Sequence, residues 1–330
     1  MTGNADIEGH PTKALAIKAK GGLGNRMLSA ITGLVLARLN NRTAYIDWRD
    51  GMYVPAGENL YPMLFDADWM GDVGQLDDCT DVWPAVWSGR MALHPTDVIH
   101  REYPAHHKNP FIYRKLSIDL LRPDPPQDVA VFWSYLPKLE RIRRRIATHP
   151  DFAGRSSAQI TREMLDRFFV PRPEITGAVD QLFLNLDGPT IGVHIRFTDR
   201  KVPLHKIVKR IGALKDALPA ANIFLATDSK EAQDTILDRF PHTLSIQKTL
   251  ADNDAALHVA SNKFTDPLGE ARNAVIDMMA LARCDCLIHS SHSTFSCTAA
   301  LAGRIPRSRQ IDVDRFNPKV AIKHFLQART

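Results

Sequence analysis

Four cysteines in a chain of 330 residues are too few for a disulfide framework, and three of them, Cys284, Cys286 and Cys297, crowd near one end. A reducing compartment is the expectation. Long apolar runs are also missing. The longest, Leu28 to Leu39, is interrupted by Ser29, Thr32 and Arg38, so nothing approaches the roughly 20 residues of a membrane-spanning helix. Residues 1–13 carry no apolar stretch of the kind a secretory signal needs. A soluble, cytoplasmic protein is expected. No Gly-Lys-Ser/Thr ends a glycine loop and no G-x-G-x-x-G is present, which excludes two common phosphate-binding fingerprints. The acidic pairs Asp66-Ala-Asp68 and Asp77-Asp78 are not flanked by strand-like residues. No divalent metal is therefore expected on a bound diphosphate, and no cofactor is implied. Internal repeats and low-complexity tracts are absent.

What remains is ordinary globular material. Hydrophobic residues make up 44% and charged residues 24%, which excludes disordered and collagenous classes. The length suits about two domains. Net charge is +5, and residues 304–330, with seven Lys/Arg against two Asp, account for all of it. Such a basic end suits a solvated helix face, an anionic membrane surface or a polyanion. The run Arg141–Arg145 reads as the outer side of a helix with Leu139, Ile142 and Ile146 inward. Neither basic run is interleaved with base-stacking aromatics, so no nucleic acid partner is expected.

The chain opens as strand (14–20), glycine turn, helix (28–39) and strand (43–48), a βαβ start. Residues 50–128 read as irregular, cleft-covering loops. Residues 138–170 read as helical, and Pro171–Glu174 opens a helix ending near Leu184. The second half alternates more cleanly. Strands are expected at 190–197, 222–227, 244–247, 286–289 and 310–313, with helices at 205–218, 230–240, 268–283 and 293–301 and a terminal helix after them. This is an α/β chain with parallel sheets covered on both faces. The expected divisions are 1–186, 187–310 and a basic C-terminal helix, 311–330.

Four segments could carry chemistry. Gly21-Gly-Leu-Gly-Asn-Arg26 joins a strand to a helix, where free N–H groups and a positive dipole end suit a phosphate; a tight turn explains it equally. On the strand from Thr190, His194 and Arg196 share one face near the carboxyl end, where open α/β sheets bind ligands. A bound diphosphate, or an internal carboxylate such as Asp228, would pair the arginine. Thr227-Asp-Ser229 ends the next strand and also suits a helix cap. Asp277 lies on a helix, and Ser290 to Ser296 opens another whose N–H groups and hydroxyls suit phosphate or sugar oxygens. Cys284, Cys286, His289 and His292 suggest zinc, but their spacing fits no zinc pattern.

Gly21-Gly-Leu-Gly-Asn-Arg-Met27, His194-Ile-Arg196, Ala226-Thr-Asp228 and Ser293-Thr-Phe-Ser296 together resemble the GDP-fucose-dependent fucosyltransferases. The glycine segment is similar to the alpha-1,2 group. The stretches His194–Asp199 and Leu225–Asp228 are similar to the alpha-1,6 group, which includes rhizobial nodulation-factor and animal core fucosyltransferases. The resemblance covers 14–48 loosely and 188–303 in short motifs. It implies a GT-B-like fold of two Rossmann-like domains facing a cleft, inversion at the anomeric carbon and no metal. It implies that Arg196 binds the diphosphate, that Asp277 sits by the guanine, and that Ser293, Thr294 and Ser296 surround the phosphates. Gly22, Gly24 and Asn25 would line the cleft from the other domain, with His194, Asp228 and Phe295 completing the donor set.

The sequence also departs from that group. Animal core enzymes carry a Lys and then a Glu shortly after the Thr-Asp pair; here those places hold Arg200 and Leu204. Candidate bases are then Asp199, His205, Asp47 and Asp50. The expected partners are a GDP-sugar donor and a glycan or lipid-linked oligosaccharide acceptor, with peripheral membrane contact through the basic C-terminus. Another GDP-sugar, or a non-catalytic module for polyanions or carbohydrates, is the alternative.

Overall fold

The computed structural model describes residues 13–106, 110–196, 203–250 and 264–313. The first strand, β1 (Ala14–Lys18), is buried at every residue. A strand covered on both faces must be apolar throughout, so strict alternation is lost. It is followed by α1 (Leu23–Leu39), β2 (Thr43–Asp47), α2 (Tyr61–Leu64), β3 (Val82–Trp83), α3 (Pro95–Glu102), α4 (Pro110–Arg114) and β4 (Val129–Trp133). These strands form a parallel sheet in the order β2-β1-β4-β3. Residues 50–128 are thus not only loops. They hold three short helices and an edge strand, and the chain then enters β4, which pairs along the whole of β1.

Helices α5 (Arg143–Thr148), α6 (Ser157–Phe168) and α7 (Pro173–Phe183) link the halves. The helical reading of 138–170 is corrected to two helices. Between them lie Pro150, which lacks a donor, and Gly154 at φ +76°. Ser156 then starts α6 with a capping box closed by Gln159. Leu139, Ile142 and Ile146 face inward.

The second half contains β5 (Thr190–Ile195), α8 (Leu204–Ala217), β6 (Asn222–Thr227), α9 (Lys230–Arg239), β7 (Thr243–Leu244), α10 (Pro267–Arg283), β8 (Cys286–His289), α11 (Thr294–Ala302) and β9 (Gln310–Asp312). Its parallel sheet runs β7-β6-β5-β8-β9. The short strand expected at 244–247 lies instead at 243–244. Ile311 and Asp312 close β9, and the basic helix expected after them falls outside the described residues from 314 on. Among the described residues, no helix is long and apolar enough to cross a membrane.

Both sheets are doubly wound, and each reverses direction once: between β1 and β4 in the first, between β5 and β8 in the second. Ligands of such sheets bind outside the carboxyl ends at that reversal. The expected boundary at 186/187 falls between α7 and β5. The apolar core nonetheless crosses it. Leu15, Met27 and Ile31 belong to one buried cluster with Phe224, Met278 and Ala299. The two carboxyl edges are therefore held face to face by packed side chains rather than by a linker.

Candidate functional site

A cleft of about 1020 Å³, including its open part, lies where those edges meet. Its wall is built from both reversal points. Gly22, Leu23 and Asn25 follow β1 and Tyr135 follows β4; His194 and Arg196 end β5, and Ser293 follows β8. Asp228 after β6, Asp277 and Glu270 on α10, and Lys248 complete it.

The glycine segment is a clamped turn. Gly21 sits at φ +83°, and a Cβ there would stand 2.7 Å from the Tyr135 ring. Left-handed backbone with no room for a side chain requires glycine. Arg26, fully buried, holds the turn by donating from Nε to the Gly21 carbonyl at 2.6 Å. Its guanidinium also forms a two-point pair with Asp50. Gly22 is open to the cleft, with nothing within 4 Å of a notional Cβ. Gly24 does a different job. A Cβ on it would meet the Phe295 backbone nitrogen at 2.6 Å, so the start of α1 rests directly on the start of α11.

On the other wall, His194 is buried and its ring stacks on Phe295, centroids 5.2 Å apart. Burial, then the charges of His289, Lys248 and Arg196, drive its imidazole down to about 3. It is neutral at physiological pH. Ser293 is the N-cap residue of α11, but its hydroxyl makes no cap bond and has no partner. The Thr-Asp-Ser segment divides its work: Ser229 Oγ accepts from Ala232 N at 3.4 Å and caps α9, while Asp228 lines the cleft. Asp277, buried, is ion-paired to Lys248 through Oδ2. Burial pushes its carboxyl up against the attraction of that lysine.

Four buried polar atoms of the wall have no hydrogen-bond partner: Asn25 Oδ1, His194 Nδ1, Asp277 Oδ1 and Ser293 Oγ. Buried polar atoms are almost always satisfied. Their convergence on one cleft, from four different elements, marks a surface shaped for a polar ligand.

The structure thus brings Gly22, Gly24, Asn25, His194, Arg196, Asp228, Asp277, Ser293, Thr294 and Phe295 into one cleft. Ser296 lies off it. It points under the helix start, fully buried, and hydrogen-bonds His289 Nδ1 at 3.0 Å. His205 stands exposed in the first turn of α8, away from the cleft. Asp199 falls outside the described residues. Asp47 and Asp50 are unsuited as bases. Asp47 is closed between Lys18 and Arg49, and Asp50 is held by Arg26. The carboxylates at the first sheet's edge are thereby neutralised internally. The zinc pattern is taken apart: Cys284 Sγ donates to the Ala280 carbonyl, and His289 is engaged by Ser296 and Gln310. Sequence reasoning missed Tyr53, Tyr135, Lys248, Phe264 and Glu270. Only Tyr135 carried a signal, its place just after the apolar run Val129–Trp133.

The family model of Nodulation protein Z (NodZ) matches residues 153–327, just over half of the chain. The chain belongs to the NodZ family. A curated relative, Nodulation protein Z of Sinorhizobium fredii (strain NBRC 101917 / NGR234), is 29% identical over 164 residues, 44% of this chain and 49% of that protein. The match thus spans about half of the relative's length. Among solved structures, the NodZ alpha-1,6-fucosyltransferase soaked with GDP-fucose is 21% identical and superposes with a TM-score of 0.59. That match covers 88% of this chain and 93% of that one. A mutant Arabidopsis thaliana FUT1 in complex with GDP is 13% identical, with a TM-score of 0.51 over 92% of this chain and 73% of that one. At these identities the likeness establishes the fold: the two facing parallel α/β domains are a GT-B arrangement. Residues 153–327 include α6 onward, so the family match rests on the second wall of the cleft and its supports.

Proposed function

We propose that the protein is a GDP-fucose-dependent fucosyltransferase that inverts the anomeric carbon, needs no metal and acts on a glycan acceptor. The observation that carries this reading is a set of four buried polar atoms of the cleft residues with no partner among the described residues: Asn25 Oδ1 on one side, and His194 Nδ1, Ser293 Oγ and Asp277 Oδ1 on the other. Structures of NodZ with GDP-fucose and with GDP support the donor class.

The chemistry follows from the second wall. When the sugar leaves, negative charge grows on the β-phosphate while the sugar becomes oxocarbenium-like. Arg196, just past β5, and the positive end of α11 line the same cleft, and on this reading they stabilise that charge. Fixed donors aimed at developing charge are among the strongest catalytic terms, and together they take the part a divalent ion plays elsewhere. Neutral His194 donates one hydrogen bond without adding a charge that tight ground-state binding would waste. The donor's base reaches Asp277 on α10. The acceptor enters from the first wall, over Gly22, Tyr53 and Tyr135.

Calorimetric titration with GDP, GDP-fucose, GDP-mannose and UDP-glucose, in EDTA, tests the reading. GDP and GDP-fucose should bind, and Arg196→Ala should abolish both binding and transfer. Binding of UDP-glucose alone, or an Arg196→Ala variant that transfers fucose at the original rate, overturns it. Tighter binding of GDP-mannose than of GDP-fucose would keep the fold's donor class and change the sugar.

A further inference from the structure

The cleft has two chemically different ends. One holds Arg196, neutral His194 and the start of α11. The other is floored by α10. Its residues Glu270, Ala274 and Asp277 recur at spacings of four and three, so they share one helix face. Ala226 and Phe264 add apolar surface beside them. A partly apolar end with a carboxylate beside it fits a nucleobase rather than a phosphate.

Lys248 stands at that edge. Its side chain is 13% exposed, that of Asp277 is 3% exposed, and the two are ion-paired through Asp277 Oδ2. Oδ1 of the same carboxylate is buried and has no partner. Glu270 does not share the lysine's task, for it accepts from the backbone N–H of Thr249 at 3.0 Å. An ammonium bonded once to Oδ2 keeps further donors. The pair therefore presents an acceptor, Oδ1, immediately beside a donor, the lysine ammonium.

On the reading that the donor carries GDP, whose guanine the resemblance already puts by Asp277, we propose that Lys248 is a second, specificity-determining guanine reader, donating to the base's O6 while Asp277 Oδ1 accepts from its N1–H. Guanine places an acceptor oxygen next to a ring N–H. Adenine presents an amino donor and an unprotonated ring nitrogen at the same places, so both contacts become repulsive. A site whose buried polar groups would be left unpaired rejects the wrong ligand strongly. Lys248 has a second effect. The fully buried Asp277 is drawn toward its neutral form, and the lysine opposes this. A protonated carboxyl would offer a hydrogen where the guanine already has one.

The test is calorimetry on the full chain with GDP, IDP, ADP and inorganic pyrophosphate, comparing the original protein with Lys248→Met and Lys248→Arg. IDP keeps O6 and N1–H, and pyrophosphate has no base. Lys248→Met should lower GDP and IDP affinity alike, by about 10- to 100-fold, the loss expected for a charge-assisted hydrogen bond. Pyrophosphate affinity should stay within about 2-fold, which also shows that the variant is folded. Lys248→Arg, which keeps charge and donors, should recover part of the GDP preference over ADP. An equal drop for GDP and pyrophosphate overturns the pair, because Lys248 would then serve the phosphates or the fold. Unchanged GDP affinity in Lys248→Met overturns it too. If the original protein binds none of the nucleotides, the donor assignment itself fails, an outcome distinct from both.

Discussion

Two glycines of one motif should respond very unequally to the same substitution. In Gly24→Ala the added methyl meets the Phe295 nitrogen at 2.6 Å and the Phe295 Cα and Thr294 carbonyl carbon at 2.7 Å. All three are backbone atoms of the other half, so no rotamer change relieves the clash. To reach ordinary contact at 3.4 Å, the starts of α1 and α11 must part by several tenths of an ångström. Overpacking of this kind costs about 1–3 kcal/mol, and the better helix propensity of alanine returns up to about 1. A net loss of about 1–2 kcal/mol lowers the melting temperature by about 2–8 °C. The same displacement shifts Ser293 and Phe295 relative to Arg196, and misplacement on this scale can cost up to about 100-fold in rate. Gly22→Ala has nothing within 4 Å of the new methyl, and Gly22 already sits in extended backbone at φ −69°. Its stability cost is that of a poorer N-cap, below about 1 kcal/mol. Thermal melting followed by GDP titration measures both variants. If Gly24→Ala melts with the original protein, or if Gly22→Ala is the more damaging, the argument that Gly24 seats one half on the other is wrong.

Other consequences are as direct. Asp50→Ala leaves the buried Arg26 guanidinium without its ion-pair partner. Urea unfolding should show a loss of about 3–5 kcal/mol, and an unchanged midpoint would refute the clamp. His194 has an imidazole value depressed from 6.5 to about 3. Below pH 6.5 the unfolded chain takes up a proton that the folded chain refuses, so this contribution is present above that pH and is lost as pH falls toward 3. Between pH 6.5 and pH 5 the original protein should lose about 2 kcal/mol more than His194→Gln does, at 1.36 kcal/mol per unit. Parallel urea titrations at the two pH values decide it. Fucose transfer should be the same in EDTA as in added magnesium; a strict need for the ion would remove the leaving-group role given to Arg196 and α11.

The second half was legible because its βα units repeat, and because Ser229 and Asp266 cap α9 and α10. His194, Arg196, Asp228 and Ser293 could be placed at strand ends and helix starts from spacing alone. In the first half the sheet was not legible beyond β2, although the helix from Pro173 was. β4 is a short apolar run with no alternation, the form a strand takes when both its faces are buried, and periodicity cannot identify it. Tyr135 was lost with it. Lys248 was invisible for another reason. It follows a two-residue strand in an irregular segment, and only the fold brings it against Asp277, 29 positions away. Ser296 erred in the opposite sense. It shares a motif with Ser293, but Ser293 is the extended N-cap outside the helix, whereas Ser296 lies in its first turn on the buried side, where it hydrogen-bonds His289.

On the proposed function, the distribution of charge over the two walls would hold donor and acceptor apart in one cleft. On the first wall the charges cancel in place: Lys18 and Arg49 with Asp47, Arg49 again with Asp77, and Arg26 with Asp50. These pairs lie just behind the strand ends, and most of their side chains are nearly inaccessible, so they stiffen the edge without projecting a field into the cleft. What that wall offers a ligand is Gly22, the Asn25 amide and two tyrosines, a neutral surface of the kind that hydroxyl-rich sugars meet. On the second wall, Arg196 and the start of α11 supply the positive groups of the cleft, and burial keeps His194 from adding a charge to them. On the proposed reading an anionic donor is drawn to that wall and an uncharged acceptor to the other. If the wall charges were exchanged, for example by Asn25→Lys, GDP should bind in a second mode on the first wall. Acceptor affinity should then fall while GDP affinity holds or rises. A variant that keeps acceptor KM unchanged would show that neutrality of the first wall does not govern acceptor binding.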